Sequence, residues 1–437
     1  FGDIIDGKNL DRLVSALGID NDDLITEAPV QIVSTGHSKV MIGIKDYKQL
    51  HNLRPDMKEL NELSRIINCN GYFVFSFDSD EKDILLKGRM FAPAIGIDED
   101  PVTGNANGPV GAYIVKYKLA EFGDDNGPSI AFLAEYDALP GYGPDKVPGH
   151  ACGHNWIAAG TYGAALVLSK FKNNFKGKII LIGTPAEETL GGKVNMVEQN
   201  AFDDIDIVLQ MHLEANNNLN CKTLAIDCIK FQFTGKAAHA AAHPDEGINA
   251  LDAVQLMYSG INCLRQHITS DSRIHGIITS GGDAPNTVPD FAECKFHIRS
   301  NDRAYLNTLT QKVINCAKGA ELMTGAVLKY EKYENSFDNL LNLPSLQDLM
   351  RKNLIEVGVS SFLDEKHGAS GSSDIGNVSQ VCPTMYTELA LDIDEVCFVH
   401  DEAYLKYVNS EEAYDKLHKS VKAMTGTALE LYCEPEL

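Results

Sequence analysis

The chain has 437 residues, of which 44% are hydrophobic and 23% charged, and this length and composition favour a soluble protein of two to four domains. A net charge of −23, with no basic stripe, argues against binding to nucleic acid or anionic membranes. No apolar run approaches the ~20 residues that a membrane-spanning helix needs.

The ten cysteines are scattered without a C-x-x-C pair, which favours free thiols and a cytoplasmic protein. The chain begins at Phe1, without a methionine or a signal-like apolar stretch. We therefore expect the chain to have been cut from a longer polypeptide at its start.

Residues 1–120 are predicted to form one α+β unit. Apolar alternation and helical spacing indicate strands at 30–34, 40–44 and 71–77, a helix at 57–67, and a strand and Gly/Pro-rich loop entering a helix within 88–113. The polar stretch 121–128 has the composition of a linker or turn.

From Ser129 onward the pattern alternates between strand and helix. Strands are predicted at 130–134, 178–183 and 207–211, with a helix at 158–171. This order favours an α/β fold with a mostly parallel sheet and helices on its faces. We assign 127–222 to the first part of a catalytic domain.

Residues 223–331 follow a different order, strand–helix–strand–strand–helix. That order is typical of a small α+β domain inserted into the catalytic domain, and we call it the inserted domain. Residues 332–437 are predicted to return to the first sheet as the second part of the catalytic domain.

Two short motifs carry metal-binding chemistry. G-H-A-C-G-H-N at 149–155 contains Cys152 and His154, and T-P-A-E-E at 184–188 ends in two glutamates. His212 follows a predicted strand. A thiolate, imidazoles and carboxylates suit a borderline-soft divalent ion. A single cysteine or histidine is usually structural, but four such features in order predict a metal-dependent hydrolase.

Glu187 and Glu188 are adjacent at a predicted strand end. On an extended backbone, neighbouring side chains point to opposite sides. We therefore expect one carboxylate to bind metal and the other to face the substrate as a general base, with a pKa raised by neighbouring negative charge.

Residues from about 127 to the end resemble the aminoacylase/carboxypeptidase family of dinuclear metallopeptidases, in its hippurate- and aminobenzoyl-glutamate-hydrolase branch. Besides the two metal motifs, the resemblance rests on ordered motifs across some 300 residues. They are G-P-S-I-A-F-L-A-E-Y-D-A-L-P (127–140), D-I-D-I-V-L-Q-M-H (204–212), G-K-A-A-H-A (235–240), N-T-V-P-D (286–290) and S-S-D-I-G-N-V-S (372–379).

The resemblance implies two divalent metal ions, zinc or manganese. It makes Cys152 the shared ligand, standing where relatives use a carboxylate, and Glu187 the general base. The remaining ligands would be His154, Glu188, His212 and His400, the last in F-V-H-D-E-A-Y.

The family also implies that the inserted domain, 223–331, acts as a lid or dimerisation domain, and it implies roles for residues there. His239 would polarise the scissile carbonyl, often across the interface of a homodimer, and Asn286 and Arg299 would hold the substrate carboxylate. Asp137, His150 and His243 are candidates for orienting the ligands, or for purely structural roles. The implied substrate is an N-acyl amino acid, an aminobenzoyl-glutamate-like amide or a short dipeptide.

Residues 1–118 resemble the second half of phenazine-biosynthesis isomerase/epimerase proteins, through P-V-Q-I-V-S-T-G (29–36) and the sequence of 88–113. The D-P-V-T-G-N loop before a helix offers backbone N–H groups to an anion, with Asp100 and Asn105 as site positions. The half that carries that family's usual glutamate acid/base is absent.

The two resemblances meet near 119–127, and this junction is consistent with a natural fusion, a faulty gene model or an engineered chimera. Relatives of the hydrolase start some 70–80 residues earlier, with two further strands. The main alternative to an amidohydrolase is therefore an isomerase-like or noncatalytic small-anion-binding module whose hydrolase part is inactive through truncation.

Overall fold

The computed structural model describes residues 1–34, 38–79, 84–100, 104–120, 127–363, 371–393 and 397–434. Contacts divide the chain into two compact units, Phe1–Asp124 and Asp125–Leu437.

The front unit is built on a five-stranded mixed sheet in the order β1-β2-β3-β4-β5. The β2–β3 pair is parallel and the other pairs are antiparallel. Its strands are β1 (Gln31–Ser34), β2 (Ser38–Gly43), β3 (Gly71–Ser76), β4 (Lys87–Ala92) and β5 (Ile97–Asp100). Its helices are α1 (Gly7–Leu17), α2 (Tyr47–Asn52), α3 (Met57–Ile67) and α4 (Gly104–Tyr117).

Apolar side chains of this sheet pack on both faces. Val40 and Val74 belong to a core with α1 and α3, whereas Met41 and Phe73 belong to a core with α4. Because neighbouring residues of a strand point to opposite faces, such strands need apolar residues at successive positions. The α+β class predicted for this unit is confirmed.

The catalytic part of the second unit contains a four-stranded sheet in the order β13-β8-β6-β7. All of its pairs are parallel. The strands are β6 (Ser129–Glu135), β7 (Lys178–Thr184), β8 (Ile207–Glu214) and β13 (Thr384–Ala390). The predicted α/β fold with a parallel sheet is confirmed, and the chain returns to this sheet through β13.

Helices cover both faces of the parallel sheet. One face packs against α5 (His154–Lys170), α9 (Pro344–Glu356) and α11 (Glu411–Cys433). The other face packs against α6 (Gly192–Glu198) and α10 (Ile375–Ser379).

The inserted domain is an antiparallel sheet in the order β10-β11-β9-β12, with two helices on one face. Its elements are β9 (Ala225–Thr234), α7 (Ala250–Leu264), β10 (Arg273–Ser280), β11 (Phe291–Ser300), α8 (Arg303–Thr324) and β12 (Val327–Lys332). Burial alternates strictly along β11: Phe296 and Ile298 face the helices, and His297 and Arg299 lie on the opposite face.

Among the described residues, the helices are too short or too polar to cross a bilayer. All ten cysteines fall within the described ranges, and none of them forms a disulfide.

Candidate metal centre

The candidate site lies at the carboxyl ends of the parallel strands. Asp137 follows β6, Glu187 and Glu188 follow β7, and His212 lies near the end of β8. Open parallel sheets gather ligands at this edge because the loops after adjacent strands converge there.

Cys152 and His154 flank the start of α5. Gly153, the N-cap residue between them, has φ 79°, a left-handed conformation that favours glycine. His154 is therefore the first residue of the helix, and Cys152 lies in the loop before it. The His400 backbone N–H donates to the Ala151 carbonyl at 2.9 Å, which fixes the late histidine beside this loop.

The structure brings the five predicted ligands together as two groups of three that share Cys152. One group is Cys152, His154 and His212, and the other is Cys152, Glu188 and His400; the donor atoms within each group lie within 4.8 Å of one another. Cys152 Sγ is 3.6 Å from His212 Nε2 and 3.2 Å from His400 Nε2. His400 Nε2 is also 3.2 Å from Glu188 Oε1.

The donor atoms fit bound metal ions. Buried polar atoms are normally hydrogen-bonded, yet His154 Nε2 and Glu188 Oε1 are buried and have no hydrogen-bond partner, since the approach of His400 Nε2 to Glu188 Oε1 lacks hydrogen-bond geometry. Both atoms belong to the two groups. A pair of cations would give these orphaned atoms the partners that the protein does not supply.

Hydrogen bonds from outside the ligand set orient two of the histidines. His212 Nδ1 donates to the Leu213 carbonyl at 2.8 Å, so its Nε2 is free to face Cys152. Asp137 Oδ1 is 2.8 Å from His154 Nδ1, and Asp137 Oδ2 accepts the Glu188 backbone N–H at 3.0 Å. Such outer partners fix ring orientation and raise ligand basicity.

Charges around the proposed ligands shift several of their pKa values. Burial opposes the charge on His154, but the hydrogen bond to Asp137 and the charge of Glu135 raise its pKa to about 9. Burial and the nearby Glu188 and Glu187 raise the pKa of the Cys152 thiol far above its ordinary value. Metal binding therefore has to displace the proton of this thiol.

Glu187 and Glu188 do not lie on an extended backbone. They occupy a turn after β7, where Ala186 has φ 62°. One donor atom from each of Glu187, Glu188 and His154 lies within 4.8 Å of the others. The expectation that the two carboxylates diverge was wrong, because the turn folds both toward one place.

A buried charged cluster behind the ligands was missed by the sequence analysis. Lys193 Nζ donates to Glu135 at 2.5 Å and to Asp374 at 2.6 Å, and all three side chains are buried. Burial and the Glu135 and Asp374 carboxylates raise the pKa of Glu187. Glu135 Oε2 is also 3.7 Å from His154 Nε2. The one feature of the sequence that could have indicated this cluster is Glu135, a lone acidic residue that ends the apolar run A-F-L-A-E of β6.

A cavity of about 260 Å³ opens beside the ligands and the general-base candidate. Arg299 reaches its wall from the inserted domain, since its Nη1 donates to Ser372 Oγ at 3.1 Å. The cavity is lined by Glu135, Cys152, Glu187, Glu188, His212, Glu214, Lys222, Thr223, Gly371, Ser372, Ser373, Tyr386, Glu388, Val399 and His400.

His239 and Asn286 lie together in the inserted domain and are absent from that cavity lining. The Ala240 backbone N–H donates to the Asn286 carbonyl at 3.0 Å, and both side chains are exposed. His239 Nδ1 accepts the Ala242 backbone N–H at 3.1 Å. The ring therefore carries its proton on Nε2 when neutral, as a donor.

The remaining predicted positions lie outside the two donor groups. His243 is exposed, and His150 Nδ1 is buried without a hydrogen-bond partner. Asp100 ends β5 in the front unit, and Asn105 is described only as backbone of α4. The loop residues 101–103 between them lie outside the described residues.

Residues 131–430 match the peptidase family M20/M25/M40. The chain belongs to this family. Xaa-Arg dipeptidase of Mus musculus is 35% identical over 314 residues, which cover 70% of this chain and 71% of that protein. One of the subunits of p-aminobenzoyl-glutamate hydrolase from Escherichia coli is 35% identical over 263 residues, 57% of this chain and 54% of that polypeptide.

The fold of this M20/M25/M40 member is also found among solved structures. A putative aminohydrolase from methicillin-resistant Staphylococcus aureus superposes with a TM-score of 0.60 at 22% identity, covering 70% of this chain and 82% of that one. The predicted membership of a metallopeptidase family is confirmed, and with it an enzyme acting on C–N bonds.

The front region matches a second family. Residues 7–134 match the phenazine biosynthesis-like protein family. An uncharacterized isomerase of Clostridium acetobutylicum is 61% identical over 120 residues, 28% of this chain and 40% of that protein. The predicted resemblance is confirmed, and the chain spans less than half of that relative.

Proposed function

We propose that the chain hydrolyses the amide bond of a short dipeptide, an N-acyl amino acid or an aminobenzoyl-glutamate-like compound in the cytoplasm. The observation that carries the proposal is the pair of three-donor groups that share Cys152. The names of the relatives, a dipeptidase and an aminobenzoyl-glutamate hydrolase, support this substrate range.

The proposed cofactors are two divalent ions, zinc or manganese. Cys152, His154 and His212 would hold one ion, and Cys152, Glu188 and His400 the other. Thiolate and imidazole favour zinc, whereas carboxylate also suits manganese. When bound, the ions supply a Lewis acid for the scissile carbonyl and make water more acidic.

Glu187 is the proposed general base. Its carboxylate lies within 4.8 Å of ligand atoms of His154 and Glu188, at the wall of the cavity. It accepts the proton of the attacking water at a carboxylate oxygen and delivers that proton to the leaving amine nitrogen. Arg299, half-buried and anchored to Ser372, holds the carboxylate of the substrate, and we assign Asn286 to the same task.

His239 is proposed to donate its Nε2 proton to the scissile carbonyl oxygen. Its Nδ1 already accepts backbone N–H groups of Ala241 and Ala242, which supports this tautomer. Because His239 and Asn286 do not line the metal-side cavity, we propose that they serve the cavity of a second copy in a homodimer formed through the inserted domain.

Elemental analysis of the purified chain and of Cys152→Ala, with turnover measured on a panel of dipeptides, tests the proposal. About two metal ions per chain at the parallel-sheet site, falling in the variant together with amide hydrolysis, is the expected result. Failure to bind metal after reconstitution, or metal-independent hydrolysis, would contradict it. Matched assays of Cys397→Ala, a buried cysteine outside the two donor groups, control for loss of a thiol.

The 61% identity of the front region to an isomerase favours a second candidate, an isomerase-like or noncatalytic small-anion-binding module. Asp100 and Asn105 are its proposed positions. The distinguishing result is binding of a small carboxylate to the chelator-treated chain that Asp100→Asn abolishes. If that binding occurs and metal binding does not, this candidate replaces the first.

A further inference from the structure

A second group of metal-type donors lies in the inserted domain, outside the residues that line the catalytic cavity. Cys228, His297 and Glu334 each offer one ligand atom, and these atoms lie within 4.8 Å of one another. We call this group the lid-sheet cluster. None of its members has a role in the proposed hydrolysis.

The register of the sheet explains why two of these side chains meet. Cys228 on β9 is the direct antiparallel partner of His297 on β11. The neighbours Ile229 and Phe296 pack against the helices, so Cys228 and His297 share the face turned away from them. Directly opposed residues on one face have Cβ atoms about 4.5–5.5 Å apart. The pairing therefore holds the thiol and the imidazole side by side.

Glu334 reaches the same face from the segment that leaves the inserted domain. The Tyr333 backbone N–H donates to the Cys228 carbonyl at 3.1 Å, which extends the sheet contact one residue past β12. Asn335 then donates to Asn195 Oδ1 of α6 at 3.2 Å. The carboxylate thus lies where the chain passes from the inserted domain to the catalytic part.

The chemistry of the cluster matches a borderline-soft divalent cation. A thiolate and a carboxylate balance two positive charges, and a neutral imidazole adds the third donor, the ligand types that zinc takes. Burial and the Arg299 guanidinium lower the pKa of His297, which favours the neutral ring. Burial and Glu334 raise the pKa of the Cys228 thiol, so ion binding must release its proton.

We propose that Cys228, His297 and Glu334 bind a third divalent ion of the zinc class, with water as the remaining ligand. The ion joins two strands of the inserted sheet to the segment that returns to the catalytic part. Its role is structural: it restrains the start of that segment, and it is independent of the catalytic pair of ions.

Cobalt(II) is a suitable probe because its bond to a thiolate gives a visible sulfur-to-metal absorption. The test uses the full chain carrying Cys152→Ser, stripped with a chelator and titrated with cobalt. That variant lacks the catalytic thiolate, so the absorption that remains reports on another cysteine. We expect the absorption to persist, to disappear when Cys228→Ser is added, and to survive when Cys294→Ser is added instead.

Cys294 is the matched control, since it is a buried cysteine of β11 on the helix-facing side of the same sheet. Glu334→Gln and His297→Asn change half-buried positions and guard against a folding defect in the cysteine variant. Each should weaken cobalt binding at this cluster at least ten-fold while leaving the circular dichroism spectrum unchanged. No sulfur–cobalt absorption in Cys152→Ser, or absorption indifferent to Cys228→Ser, overturns the proposal.

Discussion

Glu187 differs from its neighbour Glu188 in what surrounds it. Glu188 contacts His400, a proposed ligand, whereas Glu187 belongs to an acidic group with Glu135 and Asp374. A carboxylate whose pKa is raised by burial and by like charge is suited to accept and return a proton.

We predict that Glu187→Gln lowers kcat at least about 100-fold, the loss typical of a general base, while the metal content per chain stays unchanged. Steady-state kinetics and elemental analysis of one preparation measure both. Glu198→Gln, at an exposed position of α6, is the matched control and should keep full activity. Activity retained in Glu187→Gln would remove Glu187 from the mechanism.

Lys193 is buried between two acidic side chains, Glu135 and Asp374. Lys193→Met would leave both carboxylates buried without their cation. Removing one partner of a buried ion pair costs about 3–5 kcal/mol, so we expect a loss of unfolding free energy in that range. Denaturant unfolding of the chelator-treated protein measures it. The control is Lys170→Met, at an exposed position of α5, which should change the unfolding free energy by less than about 0.5 kcal/mol. An equally small effect of Lys193→Met would show that the contacts of Lys193 with Glu135 and Asp374 do not stabilise the fold.

The residues of the site could be predicted from the sequence where they stand in short local motifs. Cys152, His154 and the glutamate pair stand in short ordered motifs, and the family resemblance supplied His400 from 248 positions after Cys152. Lys193 and Asp374 lie 181 positions apart, and neither stands in a pattern that implies a partner. Only the tertiary fold reveals that Lys193, Glu135 and Asp374 form one cluster.

Elements with strong periodicity were predicted well, and those without it were not. The helix Met57–Ile67 has its predicted bounds, and β9, α7, β10, β11 and α8 follow the order predicted for the inserted domain. Strand β12 was not predicted, because it is an edge strand with exposed residues on both faces and therefore lacks alternation. Helix α5 begins at His154 rather than Ala158, since the left-handed Gly153 caps it within the metal motif.

Helix α8, the longest of the inserted domain, depends on a cap that can be tested. The Asp302 carboxylate accepts the Tyr305 backbone N–H at 2.6 Å at the N-terminus of the helix. We predict that Asp302→Ala lowers the unfolding free energy by about 1 kcal/mol, the usual cost of losing such a cap. Asp302→Asn retains an acceptor oxygen and should lose much less in the same denaturant titration. Equal losses in the two variants would show that the carboxylate charge, not the cap hydrogen bond, is responsible.

At the scale of the whole molecule, two families meet within one chain. The matched regions, residues 7–134 and 131–430, overlap by only a few positions in β6. The structural units divide a little earlier, between Asp124 and Asp125. The donor groups and the general-base candidate lie wholly within Asp125–Leu437, so the proposed hydrolysis assigns no role to a residue of the front unit.

Trp156 offers a reporter for the metal-binding unit. It is the chain's single tryptophan, is 3% exposed, and lies two residues after the proposed ligand His154. Its Nε1 donates to the Ala413 carbonyl of α11 at 2.8 Å, so its fluorescence responds to separation of α5 from α11. The front unit contains no tryptophan and therefore adds no tryptophan emission of its own.

We predict that metal removal lowers the thermal midpoint followed by Trp156 fluorescence. A ligand at 100 times its Kd stabilises the folded state by about 2.7 kcal/mol per site, because it binds the folded chain and not the unfolded one. With about 2–4 °C per kcal/mol in large domains, two sites should shift the midpoint by at least about 10 °C. In Cys152→Ser, which loses the ligand common to both donor groups, the chelator-dependent shift should shrink by more than half. A wild-type midpoint that is the same with and without chelator would mean that the five ligands assemble without holding metal, and the hydrolase assignment for this chain would fail with it.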